Sequence, residues 1–177
     1  MFLNQIQQRR SVRKFKPQPV EKKKVDQLIE AALRSPSSRS FNPWQFIVVD
    51  RPELLEKLAG AKPHGASFLK NAPLGIVVLG DTSASDVWVE DTSIASIFIH
   101  LAAQSLDLGS CWIQIRKREH NDTIDANTYI RELLNVPEHL SVESILAIGY
   151  PDESKSGHSR ESLDFEKVSF NSYGSAD

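Results

Sequence analysis

Among 177 residues there is one cysteine, Cys111. It cannot form an intrachain disulfide or a CxxC metal knuckle, and a reducing cytoplasm is the expected setting. The eight glycines are spread so that no two lie two positions apart. That excludes the dinucleotide fingerprint and a kinase-like glycine loop, and no GxxxxGK[ST] phosphate loop occurs. No serine stands in a G-x-S-x-G elbow, which argues against a serine hydrolase. His64, His100, His120, His139 and His158 are scattered without an HxH or HxxxH pair, so a built metal site is not expected. Cys111 lies in an apolar stretch, where a thiol is usually inert. There is no run long enough to span a bilayer, and the N-terminus lacks the basic-then-apolar order of a signal peptide. An enzyme with no evident nucleophile, metal or acid–base pair of its own most often takes its reactivity from a cofactor.

Charge is present but uneven. Residues 1–24 carry eight Lys or Arg against Glu21 alone, while the whole chain has a net charge of −2. A basic end on an acidic body suits nucleic acid or a small anion. The pI near 6.2 argues against the extended basic face that a duplex needs, so the small anion is preferred. At 40% hydrophobic and 25% charged residues, the composition is that of an ordinary globular protein. Its length suits a single domain, 1–177.

Periodicity places the elements. Phe2 to Gln8 reads as a short helix. Val25, Leu28, Ile29, Ala32 and Leu33 form one helical stripe over Glu21 to Ser35, stopped by Pro36. Pro52 to Ala59 is a second stripe, and Lys62 to Asn71 has no period and reads as loop. Asp86 to Leu106 is the longest helical pattern and is apolar nearly all round between Ile94 and Leu106. One small domain rarely covers such a helix, so a partner subunit is expected. His100 and Gln104 on it read as satisfied core polar groups. Asn121 is the expected cap of a helix carrying Ile124, Tyr129, Ile130, Leu133 and Leu134. Phe46 to Val49, Leu74 to Leu79, Ser110 to Ile115 and Val142 to Gly149 read as strands. The polar tail after Pro151, in which Val168 and Phe170 alternate at strand spacing, has no local partner and must lie on something already folded.

Two stretches carry chemistry. Arg9, Arg10, Ser11 and Arg13 place three guanidiniums and a hydroxyl within five residues, a set that matches phosphate oxygens or a solvated basic turn. Ser35 to Asp50 sets Pro36, Ser37, Ser38, Arg39 and Ser40 ahead of Phe41, Asn42, Pro43 and Trp44. Prolines stiffen both ends of that loop. It reads as a rigid wall for something flat or charged, or as a surface loop whose aromatics cap the core.

Together the pieces resemble the FMN-dependent nitroreductase family. The matches are Arg9-Arg10-Ser11-Val12-Arg13-Lys14-Phe15, Pro36-Ser37-Ser38-Arg39 and Pro43-Trp44-Gln45-Phe46-Ile47-Val48-Val49. Further on come Phe68-Leu69-Lys70-Asn71-Ala72-Pro73, Leu108-Gly109-Ser110-Cys111-Trp112-Ile113 and Ile148-Gly149-Tyr150-Pro151. Order and spacing hold from residue 8 to about 165.

The resemblance implies an α+β fold: a three-layer α/β/α sandwich with a mainly antiparallel sheet, and residues 151–177 as a C-terminal arm exchanged in a homodimer. It implies FMN as cofactor and NADH or NADPH as hydride donor to nitroaromatic, quinone or related acceptors. The alternatives are another flavin chemistry of the superfamily, of dehalogenase or dehydrogenase type, or a non-enzymatic FMN-binding protein. Arg9, Arg10 and Ser11 would hold the phosphate with His158 and Arg160, and Arg13 would face the pyrimidine end of the ring. Trp112, Ile113 and Gln114 would run along the ring, the Gln114 amide near the hydride-accepting atom. Pro36, Ser37, Ser38 and Arg39 would come from the other subunit. Many members carry Asn where this chain has Ser40, so Ser40, Arg39 or Asn42 is expected at that ring contact. No catalytic side chain, metal, nucleic acid or membrane is implied.

Overall fold

The stretches Leu74–Asp81 and Leu140–Gly149 are buried along nearly their whole length. Uninterrupted apolar runs of this kind belong to strands covered on both faces. In the computed structural model, which describes residues 2–175, these two strands occupy the middle of a four-stranded sheet. Numbered along the chain, the strands are β1 (Trp44–Val49), β2 (Leu74–Asp81), β3 (Gly109–Gln114) and β4 (Leu140–Gly149). Their order is β1-β2-β4-β3, and every pairing is antiparallel. Met1, Ala176 and Asp177, at the ends of the expected 1–177 unit and its 151–177 arm, lie outside the described residues.

Helices cover both faces. On one side α3 (Pro52–Ala59) and α5 (Ala126–Leu134) bury Leu55, Leu58 and Ile130 against Val77, Ile113 and Ile145. On the other, α2 (Lys22–Leu33) and α4 (Trp88–Ser105) bury Leu28, Ala32, Ile99 and Ala103 against Ile76, Leu146 and Ile148. The short α1 (Phe2–Gln8) leans on α4. This is the expected three-layer α/β/α arrangement.

The basic start of α2 opposes the helix dipole, yet Lys24 has a use. Its ammonium donates to the Leu106 carbonyl at 2.7 Å, a carbonyl just past α4 that the helix leaves without an intrahelical donor. Ser35 does not extend α2. Its hydroxyl turns back to the Ala32 carbonyl at 2.7 Å.

Three expectations change. Asn121 does not cap α5; its Oδ1 gathers the Thr123 and Ile124 amides in a local turn. The cap is Asp125, which accepts the Thr128 amide at 2.7 Å. The loop from Lys62 to Asn71 contains a 3-10 turn, Ser67–Asn71, that buries Leu69. The spacing of Val168 and Phe170 does not make a strand. With no strand edge beside it in the chain, the tail forms short 3-10 turns at Arg160–Ser162 and Phe165–Lys167. Leu163, Phe165, Val168 and Phe170 stay exposed.

Helix α4 is also less enclosed than its sequence suggests. Its inner side is fully buried, but Ile94, Ile97 and Phe98 are 38, 43 and 37% exposed. A single chain leaves that face uncovered.

Candidate functional site

Strand β3 is an edge, and the segment after α1 is laid along it. The Val12 amide donates to the Ser110 carbonyl at 3.0 Å, and Ser11 bridges Ser110 in parallel. Gly109 allows this approach: a Cβ there would lie 2.7 Å from Val12 side-chain atoms. Since the Ser110 carbonyl points away from β4, the alternation of an antiparallel ladder turns the Trp112 and Gln114 backbone groups toward the same free edge. Ile113 belongs to the β3–β4 ladder, and its side chain is in the core.

The laid-down segment is held from both sides. Glu153 accepts the amides of Arg13 at 2.6 Å and Lys14 at 3.2 Å. Lys155 donates to the Ser11 carbonyl at 3.0 Å and pairs with Glu153 at 2.9 Å. Arg10 Nη1 donates to the Ser156 carbonyl at 2.6 Å. Arg9 Nη1 meets His100 Nε2 on α4 at 2.9 Å. Three cationic side chains, Arg9, Arg10 and Lys155, thus hold this segment, with Glu153 bonded to it from the arm. A hollow of about 320 Å³ opens here, lined in part by Arg10, Val12, Glu153 and Lys155.

Arg13 reaches away from Arg9, its guanidinium 5.8 Å from the Phe68 ring centre. It also lines a hollow of about 660 Å³ with Lys14, Lys70, Asp50 and Asp152. Three cations face two carboxylates there, whereas the smaller hollow sets Arg10 and Lys155 against Glu153 and Asp107, with Arg9 held on His100 as a further cation. Burial pushes the Cys111 thiol up despite the pull of Arg13, which keeps it protonated and unreactive.

On the face of β3 toward α4, Trp112 Nε1 donates to Gln114 Oε1 at 3.0 Å, and Gln114 Nε2 reaches Glu143 Oε1 at 3.4 Å. Glu143 is the residue skipped where the β2–β4 register shifts. It is buried, its Oε2 has no partner, and burial pushes its carboxyl up.

The Pro36–Ser40 loop is elsewhere. It sits at the first turn of α4, where Asp91 Oδ1 accepts the Ser38 amide at 2.8 Å. Asp91 and His100 are nine residues apart on one helix, or ~14 Å along its axis. Within a chain the loop is therefore remote from Arg9. Arg39, Ser40 and Asn42 have φ of 49°, 56° and 48°. Three left-handed non-glycine residues in four positions store strain, as binding loops often do. The Ser37 hydroxyl donates to Asn42 Oδ1 at 2.8 Å, and Arg39 lies over Phe41.

His158 and Arg160 are exposed on the arm. Arg160 stacks on Phe165, with 4.9 Å to its ring centre, and does not join Arg9. The arm itself does pass the cradle, through Ser156 and through Gly157, which abuts Gln7. Glu153, Lys155, Asp91 and the Arg9–His100 contact escape a sequence reading. Only the acidic bias of α4's first turn hints at Asp91, and no period marks the others.

Fold and site together define a three-layer α/β/α protein with a cationic cradle on the open edge of β3. The sequence profile of the Nitroreductase family matches residues 6–62 and 60–150. The chain belongs to the nitroreductase family. A solved FMN-dependent nitroreductase from Clostridium difficile R20291 is 49% identical, with a TM-score of 0.95 over 97% of this chain and 99% of that one. A Methanothermobacter thermautotrophicus protein, provisionally named NADH dehydrogenase/NAD(P)H nitroreductase, is 40% identical over 86% of this chain and 78% of its own length. An iodotyrosine deiodinase from Thermotoga neapolitana is 24% identical over 90% of this chain and 94% of its own.

Among the described residues no helix is long and apolar enough to cross a membrane.

Proposed function

We propose that this chain is a cytoplasmic, FMN-dependent oxidoreductase that passes hydride from NADH or NADPH to nitroaromatic, quinone or related acceptors. The carrying observation is the cradle at Arg9, Arg10, Ser11 and Lys155, which gathers three cationic side chains beside the free backbone edge of Trp112 and Gln114. Its donor set fits a phosphate monoester: guanidiniums for bidentate contact, a hydroxyl and an ammonium, with Glu153 occupied by backbone amides and Lys155. When bound, FMN supplies the hydride acceptance and delivery. The protein's residues bind and orient. Arg9, Arg10 and Ser11 take the phosphate, Arg13 sets a cation toward the ring, and the Gln114 amide offers a fixed donor at the strand edge.

The site is shared across a homodimer in this reading. The exposed Ile94, Ile97 and Phe98 lie between the Ser38 end of α4 and its Arg9 end. Pairing two such faces about a two-fold axis sets each chain's Pro36–Ser40 loop by its partner's cradle. The exposed Leu163, Phe165, Val168 and Phe170 then have a second chain to cover them. His158 and Arg160 enter the phosphate clamp once the arm is seated there.

The test is direct. Purified protein should be yellow and release FMN, not FAD, on heating. The bound flavin should bleach with NADH or NADPH in the absence of oxygen and recover with a nitroaromatic or quinone. Protein that takes up no FMN rejects the cofactor, and bound FMN that neither nicotinamide bleaches rejects the hydride route. The resemblance to the deiodinase favours reductive dehalogenation as the second reading. Turnover of a halogenated phenol, with no turnover of nitroaromatics or quinones, would select it.

A further inference from the structure

His100 is a buried histidine in the middle of an apolar helix, and its hydrogen bonds run to the cradle. Nε2 meets Arg9 Nη1 at 2.9 Å, and Nδ1 meets the Ser110 hydroxyl. A guanidinium has no acceptor, so Nε2 must accept and the ring proton must sit on Nδ1, facing Ser110. Ser110 is fixed in turn, because its carbonyl takes the Val12 amide at 3.0 Å. Arg9, His100, Ser110 and Val12 therefore close a loop of contacts tying α4, β3 and the laid-down segment together.

The partner chosen for Arg9 matters. Only one of five guanidinium N–H groups is spent on His100. No carboxylate pairs with Arg9 among the described ion pairs. Burial, with the Arg9 charge beside it, pushes His100 down to about 4, so the ring is neutral at physiological pH. A neutral acceptor orients the arginine and leaves its field intact. A carboxylate in the same place would orient it equally well and cancel that field.

We infer that His100 is a positioning residue for the phosphate of the bound cofactor, holding the Arg9 guanidinium at the cradle without neutralising it. This rests on the FMN reading above.

Apo-protein titrated with FMN and with riboflavin, followed by flavin fluorescence, tests it, because riboflavin lacks the phosphate. His100→Leu should weaken FMN about tenfold or more, the size of one misdirected charge-assisted hydrogen bond, with riboflavin unchanged. His100→Gln, which can present an oxygen near the Nε2 position, should recover most of the loss. His100→Glu should weaken FMN at least as much as Leu does. The Gln and Glu variants have the same shape and differ in charge, so that pair decides the matter even where the leucine variant does not fold. Equal FMN affinity in the Gln and Glu variants overturns the inference. So does a parallel loss of FMN and riboflavin in the leucine variant, which marks a purely structural residue. Wild-type protein that binds riboflavin as tightly as FMN, or binds neither, overturns the FMN reading as well.

Discussion

Asp91 Oδ1 accepts the backbone amide of Ser38 at 2.8 Å, while Oδ2 takes the Ser85 hydroxyl at 3.3 Å. A carboxylate that is 2% exposed thereby pins the strained loop to the first turn of α4. Its charge also suits that helix end. Asp91→Ala strands the Ser38 amide and should cost about 1–3 kcal/mol in urea unfolding. Asp91→Asn keeps an oxygen for Ser38 and should retain most of the stability. With the site shared as proposed, FMN affinity should fall with the alanine variant too. An alanine variant as stable as wild type would show that the loop is held by other contacts.

His100 gives the protein a particular acid sensitivity. In the unfolded chain a histidine binds its proton near 6.5, whereas the folded protein excludes it down to about 4. Between those values the unfolded state holds the extra proton, so stability falls as pH falls. The loss approaches ~3 kcal/mol once the lower value is reached. The check is the unfolding free energy of wild type and His100→Gln at intervals from pH 7 to 4. The difference between the two should change through this window and be flat above it. Parallel curves would mean that His100 is protonated alike in both states.

Shared sites predict rescue between damaged subunits. Arg13→Ala removes the cation proposed to face the flavin ring, and Arg39→Ala alters the loop at the other end of α4. When the two variants are dissociated together and reassociated, random pairing gives about half heterodimers. Each has one intact and one doubly damaged site, so roughly a quarter of all sites should recover under two-fold symmetry. Activity that stays at the level of the separate variants would place both arginines in sites built within one chain.

Much of this was legible along the chain. The β2 and β4 runs, the stripe of α2 and the proline-led start of α3 appear in the sequence because burial on a strand or helix imposes a period on neighbouring residues. The cluster from Arg9 to Arg13 was equally plain, since its charge is concentrated within five positions. Short-range signals misled where side chains compete for local amides. Asn121 has the right type for a cap, but its oxygen closes a turn on Thr123 and Ile124, and Asp125 takes the cap.

The helices from α1 to α5, the four strands, the sidedness of α2 and α3 and the Arg9–Arg13 cluster are written in the sequence. Each depends on spacing of a few positions. What only the tertiary structure decided is who meets whom. Ser110 and Val12 are joined because β3 is the edge of the sheet, which the order β1-β2-β4-β3 sets and no local pattern encodes. His100 serves Arg9 because α4 crosses behind that edge. The Pro36–Ser40 loop is set apart from the cradle because Asp91 stands ~14 Å from His100 along the same helix. These contacts span 53 to 98 positions of chain, and hydrogen bonds at such separations depend on packing, not on the period of neighbouring residues.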